Sequence, residues 1–244
     1  MIRPILFLDD GGVLNDNRLR GPQWQRLVGE YFAPKLGGEP EEWAEANRIV
    51  ATGFFAPGAW QARLLSAPDY ESFDYAYHRD WIRGMCEIVG VPTPPEKEGV
   101  EMARQANAWI IPQVKAAIPG AAETVRLLYR RGYTLYTASG SSSTELRGHL
   151  GSMGIVDCFK RLYGPDLIDA FKAGPKFYRR LLADARVAPS EALVVDDSPD
   201  AVEWATEVGA RAVLIAADLE AKTESGIATI KSLSELPGVL GSRE

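Results

Sequence analysis

Two acidic residues follow the first apolar run of the sequence and are placed to do chemistry. Asp9 and Asp10 come directly after Ile5 to Leu8, and Gly11 and Gly12 follow them. A short apolar run is typical of a buried parallel strand, and open α/β sheets bind ligands beyond the carboxyl ends of such strands. Glycine also lets backbone amides come close to a bound anion. A solvated turn favours Asp and Gly as well, so this pair alone leaves both interpretations open.

A second acidic pair ends another apolar run. Asp196 and Asp197 follow Ala192 to Val195. If the two strands are neighbours, three or four carboxylates converge, and their repulsion raises their pKa values. A hard cation with oxygen ligands removes this conflict, and Mg²⁺ held by carboxylates and a substrate phosphate fits best. The recurrence of the pattern favours a Mg²⁺ site over two unrelated turns.

Two further elements fit an anionic substrate. Ser139 follows the apolar run Thr134 to Ala138 and precedes Gly140 and three more serines. A hydroxyl and free amides at a helix N-terminus form a phosphate-sized anion site, although a plain N-cap explains such serines equally well. Lys172 stands shortly before a helical pattern that begins at Pro175. A single lysine there is usually solvated. Lys172 becomes a candidate catalytic residue only because the acidic residues occur in the same sequence.

The elements that must position these residues alternate between apolar runs and helical patterns. This alternation predicts an α/β fold with a doubly wound, Rossmann-like parallel sheet. Strands are expected at Ile5 to Leu8, Thr134 to Ala138, Ala192 to Val195 and Ala212 to Ile215, with a weaker one at Arg161 to Tyr163. Residues 17–116 have helical stretches and no clear strand. We therefore predict a core domain of residues 1–16 and 117–244 and an inserted all-α domain of residues 17–116.

Composition limits the partners. Of 244 residues, 46% are hydrophobic and 25% charged, and the net charge is -6, which argues against binding to nucleic acid or to an anionic membrane surface. The apolar run before Asp9 is too short for a signal peptide or a membrane span, and Cys86 and Cys158 do not form a disulfide framework. We expect a cytoplasmic protein with a small-molecule substrate. The two histidines, His78 and His149, are interpreted as surface or boundary residues.

The four elements, in this order, resemble the motifs of the haloacid dehalogenase (HAD) superfamily over nearly the whole chain. The similar residues are Asp9 with Gly12, Val13 and Leu14; Ser139; Lys172 with Pro175 and Tyr178; and Asp196 with Asp197. The insertion at residues 17–116 lies where this family has its helical type-1 cap. Most members are phosphatases.

The resemblance implies Mg²⁺-dependent hydrolysis of a small phosphorylated metabolite through an aspartyl-phosphate on Asp9. It implies that Mg²⁺ is held by Asp9, Asp197 and the carbonyl of Gly11, with Asp196 bound directly or through water. It further implies that Lys172 is catalytic and neutralises both the nucleophile and the transferring group. Ser139 and the backbone amide of Gly140 would bind the phosphoryl oxygens.

The sequence departs from the phosphatase pattern at Gly11. Family phosphatases have a second Asp at this position, which protonates the leaving group and then activates water. General acid-base catalysis by such a residue contributes about a hundred- to ten-thousand-fold in rate. Asp10 is expected to point away from the site, and Asp16 or a residue of the cap could substitute.

Other relatives that lack this acid suggest alternatives. One is a metal-independent hydrolase acting at carbon, like a 2-haloacid dehalogenase, although the pair Asp196 and Asp197 argues for a metal. Phosphonate-cleaving members need a cap lysine, and Lys35, Lys97 and Lys115 do not match its position. The ion-pumping ATPases are membrane proteins. A non-catalytic phosphometabolite-binding protein stays open.

Overall fold

The computed structural model describes residues 3–56, 58–216 and 227–241. The chain forms two compact units: Met1–Asn17 with Ala116–Glu244, and Arg18–Lys115. The first contains a six-stranded parallel sheet with helices, and the helices of the second form the cap. The predicted fold class is therefore confirmed. The predicted division into residues 1–16 with 117–244 and residues 17–116 is kept as a proposal.

The secondary structure consists of short strands and helices of very different lengths. The strands are β1 (Ile5–Leu8), β2 (Leu135–Thr137), β3 (Phe159–Arg161), β4 (Ala192–Asp196), β5 (Arg211–Ile215) and β6 (Ala228–Ile230). The helices are α1 (Asn17–Leu36), α2 (Pro40–Phe54), α3 (Ala59–Ser66), α4 (Tyr70–Val89), α5 (Glu96–Ile110), α6 (Ala121–Arg130), α7 (Ser143–Ser152), α8 (Pro165–Ile168), α9 (Pro175–Ala185), α10 (Pro199–Glu207) and α11 (Leu236–Gly241).

The strand order places the first acidic pair at the centre of the sheet. The order is β3-β2-β1-β4-β5-β6, and every neighbouring pair is parallel. Leu8 at the end of β1 pairs with Thr137 of β2 on one side and with Val195 of β4 on the other. The residues that follow these three strands therefore emerge at one edge of the sheet, where α/β folds bind their ligands.

Both faces of the sheet are buried, which explains the continuous apolar runs. Leu6 and Leu8 pack in one apolar cluster with Val125 of α6, whereas Phe7 packs in the other with Phe177 of α9. This alternation follows from the two-residue period of a strand. Covered on both sides, β1 forms a fixed support for the loop that follows it.

The edges of the sheet differ from the prediction. The weak strand expected at Arg161 to Tyr163 is wrong in its bounds, since β3 covers Phe159–Arg161, and β6 was not predicted. In β3 only Phe159 is buried, so this edge strand lacks the continuous apolar pattern of a central strand.

The cap unit has an aromatic core. The rings of Phe32 and Trp43 stack with centroids 5.1 Å apart, and Trp81 Nε1 donates a hydrogen bond to Asn47 Oδ1 at 2.9 Å. A Cβ on Gly29 would lie 2.2 Å from the carbonyl oxygen of Pro40, so the glycine allows α1 to approach the start of α2 closely. Burial of these large aromatic side chains stabilises the unit.

The interpretation of both histidines as surface or boundary residues is wrong. His78 is 6% exposed and His149 is 4% exposed. His78 Nδ1 lies 2.8 Å from the carbonyl oxygen of Asp74, and its Nε2 lies 2.9 Å from Asn107 Nδ2. Polar partners on neighbouring turns and helices satisfy a buried imidazole in a way that the sequence does not reveal.

Within the described ranges, none of the helices combines the length and the apolar character that a membrane span requires. Cys86 and Cys158 are free thiols, as expected.

Candidate active site

A tight loop after β1 orients its two carboxylates differently. The amide of Asp9 donates a hydrogen bond to the carbonyl of Val195 at 3.0 Å, which holds the residue at the end of the sheet. Asp10 is fully buried, and its Oδ1 accepts a hydrogen bond from Asn15 Nδ2 at 2.6 Å. The carbonyl of Asp10 also accepts hydrogen bonds from the amides of Leu14 and Asn15, both at 2.8 Å. Asp10 therefore closes the loop, and Asp9 remains the carboxylate at the sheet edge.

The second acidic pair lies at the end of β4 and before α10. Asp196 is fully buried, and its Oδ1 accepts a hydrogen bond from the amide of Ser198 at 3.1 Å. Ser198 is also the N-cap of α10, because its side chain accepts from the amide of Ala201. A helix cap thus fixes the backbone on which Asp196 and Asp197 are carried.

Three carboxylates converge at this edge. One oxygen each from Asp9, Asp196 and Asp197 lies within 4.8 Å of the others. Gly12 makes room for Asp197, since a Cβ at position 12 would lie 1.9 Å from Asp197 Oδ2. The donors are all carboxylate oxygens, which is the ligand type that Mg²⁺ prefers. The cluster therefore fits a hard divalent cation.

Lys172 bridges two of these carboxylates. Its Nζ lies 3.0 Å from Asp9 Oδ1 and 2.7 Å from Asp196 Oδ2, and its side chain is only 10% exposed. Tyr178, one turn into α9, is fully buried with its hydroxyl 3.4 Å from the same Asp196 oxygen. A lysine that appeared unremarkable in the sequence is thus held inside the acidic cluster.

The charges of the cluster perturb one another. Burial raises the pKa of Asp196 to about 7, with a further contribution from the charge of Asp9, and both together outweigh the opposing ammonium of Lys172. Desolvation and the charge of Asp9 also raise the pKa of Asp197. Burial by itself would lower the pKa of Lys172, but the charges of Asp9 and Asp196 raise it. Lys172 is therefore a cation at neutral pH, and its charge opposes the charges of the neighbouring carboxylates.

Ser139 and Gly140 follow β2 at the same edge of the sheet. Ser139 is buried, its amide donates to the carbonyl of Tyr163 at 3.2 Å, and its Oγ accepts from the amide of Ser141 at 3.2 Å. Gly140 is exposed. The N-cap of α7 is Ser142, which forms a capping box with Glu145. Because capping is assigned to Ser142, the plain N-cap interpretation does not apply to Ser139.

Sequence reasoning missed Asn17. A Cβ placed on Gly11 would lie 2.9 Å from Asn17 Nδ2 and 3.1 Å from Asn17 Oδ1. The carboxamide of Asn17 therefore stands where a side chain at position 11 would begin. This proximity depends on the path of the loop from β1 to α1, which no spacing rule in the sequence specifies.

The arrangement has the parts of a covalent hydrolase. A carboxylate at the end of the central strand can attack an electrophile, and a lysine ammonium beside it stabilises negative charge in a partly desolvated site. The remaining carboxylates supply either cation ligands or orienting groups. Among the described residues, His78 and His149 take no part in this cluster.

Comparison with known proteins gives a match to one protein family. A family model described as haloacid dehalogenase-like hydrolase matches residues 11–209. No curated protein sequence matches the chain. The matching solved structures include L-2-haloacid dehalogenase of Xanthobacter autotrophicus, with 16% identity, a TM-score of 0.64 and all of both chains covered.

Two other similar structures differ in what they are described as doing. 2-Haloacid dehalogenase of Pseudomonas syringae pv. tomato has 20% identity, a TM-score of 0.67 and full coverage of both chains. The HAD hydrolase YfnB of Bacillus subtilis, solved with bound magnesium, has 15% identity and a TM-score of 0.68, with 99% of this chain and 100% of that chain covered. At these identities the likeness shows a common fold and does not assign a substrate.

Proposed function

Because the chain belongs to the haloacid dehalogenase-like hydrolases, we propose that it hydrolyses a small molecule with Asp9 as the nucleophile. The observation that carries this proposal is the bridge from Lys172 Nζ to Asp9 Oδ1 and Asp196 Oδ2, at 3.0 and 2.7 Å, beyond the end of β1. A buried ammonium holds the attacking carboxylate in place and stabilises charge on the reacting centre.

The leading candidate reaction is phosphoryl hydrolysis. When ionised, Asp9, Asp196 and Asp197 bring three negative charges together, and Lys172 offsets one of them, so a divalent cation would compensate the rest. Asp9 and Asp197, the carbonyl of Gly11, and Asp196 directly or through water are the proposed Mg²⁺ ligands. When bound, Mg²⁺ supplies charge stabilisation to phosphoryl oxygens.

The chain's own residues provide the remaining parts of this reaction. Asp9 attacks phosphorus, the bond to the leaving group breaks, and water then cleaves the aspartyl-phosphate and restores the carboxylate. Lys172 neutralises the nucleophile and the transferring group. The hydroxyl of Ser139 and the amide of Gly140 are proposed to hold the phosphoryl oxygens at the edge of β2.

The second candidate is hydrolysis at carbon without a metal, as in a 2-haloacid dehalogenase. One observation favours it: position 11 has no acid. The similar solved structures favour this candidate over the first, although they share only the fold. The acidic cluster favours the first, and the two assays described next distinguish the candidates.

The first prediction tests the nucleophile. Asp9→Asn is expected to abolish turnover, by about ten-thousand-fold or more, because the attacking oxygen is replaced by an amide that does not form the covalent intermediate. The measurements are hydrolysis of 4-nitrophenyl phosphate with Mg²⁺ and chloride release from 2-chloropropionate in EDTA. Activity in the first assay alone, abolished by EDTA, identifies a phosphatase; activity in the second alone identifies a dehalogenase.

Asp200→Asn is the matched control, since it removes an exposed carboxylate in the first turn of α10. This variant should keep wild-type activity. Turnover by Asp9→Asn at the wild-type rate with either substrate would contradict the proposal.

A further inference from the structure

Resting on the proposed function, we infer that Asn17 takes the place of the missing acid beside Asp9. We infer in addition that the site accepts substrates whose leaving group departs without a proton. Such substrates are aryl, enol or acyl phosphates, or halides at carbon. Ordinary alkyl phosphates would be poor substrates.

The geometry comes from the loop between β1 and α1, all within one unit. Position 11 is two residues after Asp9, and the atoms nearest to a Cβ built there all belong to Asn17: Nδ2 at 2.9 Å, Oδ1 at 3.1 Å and Cγ at 3.4 Å. Asn17 is the first residue of α1 and is exposed, so its carboxamide is accessible to a ligand.

The chemistry of a carboxamide differs from that of a carboxyl group. Nδ2 donates hydrogen bonds and Oδ1 accepts them, but neither atom transfers a proton near neutral pH. An amide can therefore orient a departing atom and stabilise its charge, whereas it cannot protonate it.

Two other carboxylates of this region, Asp10 and Asp196, are already engaged. Asp10 is buried and bonded to Asn15, and Asp196 is buried against Lys172. General acid help from either group would require these contacts to break. Asn17 is thus the polar group that stands where the acid is missing.

Without a proton donor, the reaction is limited to substrates whose leaving group is stable as an anion. An Asp9 oxygen bonds to phosphorus or carbon, the bond to the leaving group breaks, and the electron pair leaves as aryloxide, enolate, carboxylate or halide. No proton is needed in this step. Water then cleaves the aspartyl-phosphate or the aspartyl ester and releases phosphate or an alcohol, Asp9 returns to its carboxylate form, and one proton passes to solvent. An alkoxide leaving group would need protonation, which contributes about a hundred- to ten-thousand-fold in rate when an acid is present.

The test compares leaving groups in wild type and in Asn17→Asp. This isosteric change places a carboxyl where the amide stands, and an acidic residue in the first turn of α1 is compatible with the helix dipole. Wild type should hydrolyse 4-nitrophenyl phosphate at least a hundredfold faster than an alkyl phosphate, or release chloride from 2-chloropropionate. Asn17→Asp should raise the rate with the alkyl phosphate tenfold or more and add a limb to its pH profile, whereas the rate with 4-nitrophenyl phosphate should change little.

Gln61→Glu, an exposed amide-to-carboxylate change in α3, controls for added charge and should leave both rates unchanged. Equal wild-type rates with alkyl and aryl phosphates would overturn the inference, and loss of the alkyl rate in Asp16→Asn would then identify Asp16 as the acid. An unchanged alkyl rate in Asn17→Asp would also overturn it. Failure of the proposed function is recognised separately, by turnover that persists in Asp9→Asn.

Discussion

At Gly12 the backbone has a φ of +75°, and the carboxylate of Asp197 lies directly against it. Asp9 is held by a backbone hydrogen bond to β4, and Asp196 accepts a hydrogen bond from the amide of Ser198. Individual residues therefore set the spacing of the cluster through backbone geometry as well as through side-chain chemistry. Glycine alone has no Cβ, so position 12 allows the approach of Asp197.

Gly12→Ala should separate Asp197 from the cluster. The new Cβ would meet Asp197 Oδ2 at 1.9 Å, and a positive φ is unfavourable for alanine. We expect a loss of about 1–3 kcal/mol in the free energy of unfolding and a Mg²⁺ affinity about tenfold weaker or more. Denaturant titration and calorimetry with Mg²⁺ measure the two effects.

Gly151→Ala serves as the comparison, because Gly151 lies in α7 with open space around it. Wild-type Mg²⁺ affinity is expected there. Unaltered Mg²⁺ binding in Gly12→Ala would remove Asp197 from the proposed ligand set.

Some residues of the candidate site could be predicted from the sequence, and Asn17 could not. Asp9, Asp196 and Lys172 could be selected because strand ends and motif order place them together. Asn17 could not, since its approach to position 11 depends on how the loop closes through the contacts of Asp10 and Asn15. Those contacts are set by the three-dimensional path of the chain.

At the scale of elements, the central strands were predictable and the edges were not. β1, β4 and β5 are covered on both faces, so each of them requires a continuous run of apolar residues, which is visible in the sequence. β3 has only one buried residue and β6 is short, and neither carries such a pattern. The candidate site follows the central strands, so the carboxylates proposed from the sequence lie close together despite the errors at the edges.

At the scale of the whole molecule, the family match over residues 11–209 shows the family, while it does not assign the substrate. The motif residues lie together because the strand order brings their strand ends to one edge of the sheet. Substrate choice depends on contacts that do not follow from strand patterns or from composition.

The stability of the whole protein should depend on pH when metal is removed. Burial and the charge of Asp9 raise the pKa of Asp196 from 3.8 to about 7 in the folded state. A raised folded pKa stabilises the protein fully below the unfolded pKa, and this contribution is lost as pH rises through the folded value. In EDTA, the free energy of unfolding should therefore fall by on the order of a few kcal/mol between about pH 4 and pH 8.

Thermal melts in EDTA across this range test the expectation, and Asp196→Asn should flatten the slope. Mg²⁺ should stabilise the protein more at pH 8 than at pH 5.5, because it binds deprotonated carboxylates. A melting temperature that is equally pH-dependent in wild type and Asp196→Asn would assign the effect to other groups.

Trapping the covalent intermediate tests the central claim most directly. Enzyme in excess is mixed with 4-nitrophenyl phosphate and Mg²⁺, or with 2-chloropropionate in EDTA, and is quenched within one turnover. Mass spectrometry of the peptide that contains Asp9 should then show an added phosphoryl group or an added propionate on Asp9. Turnover at the same rate with Asp9 unmodified, or with the added group on another residue, would contradict the account.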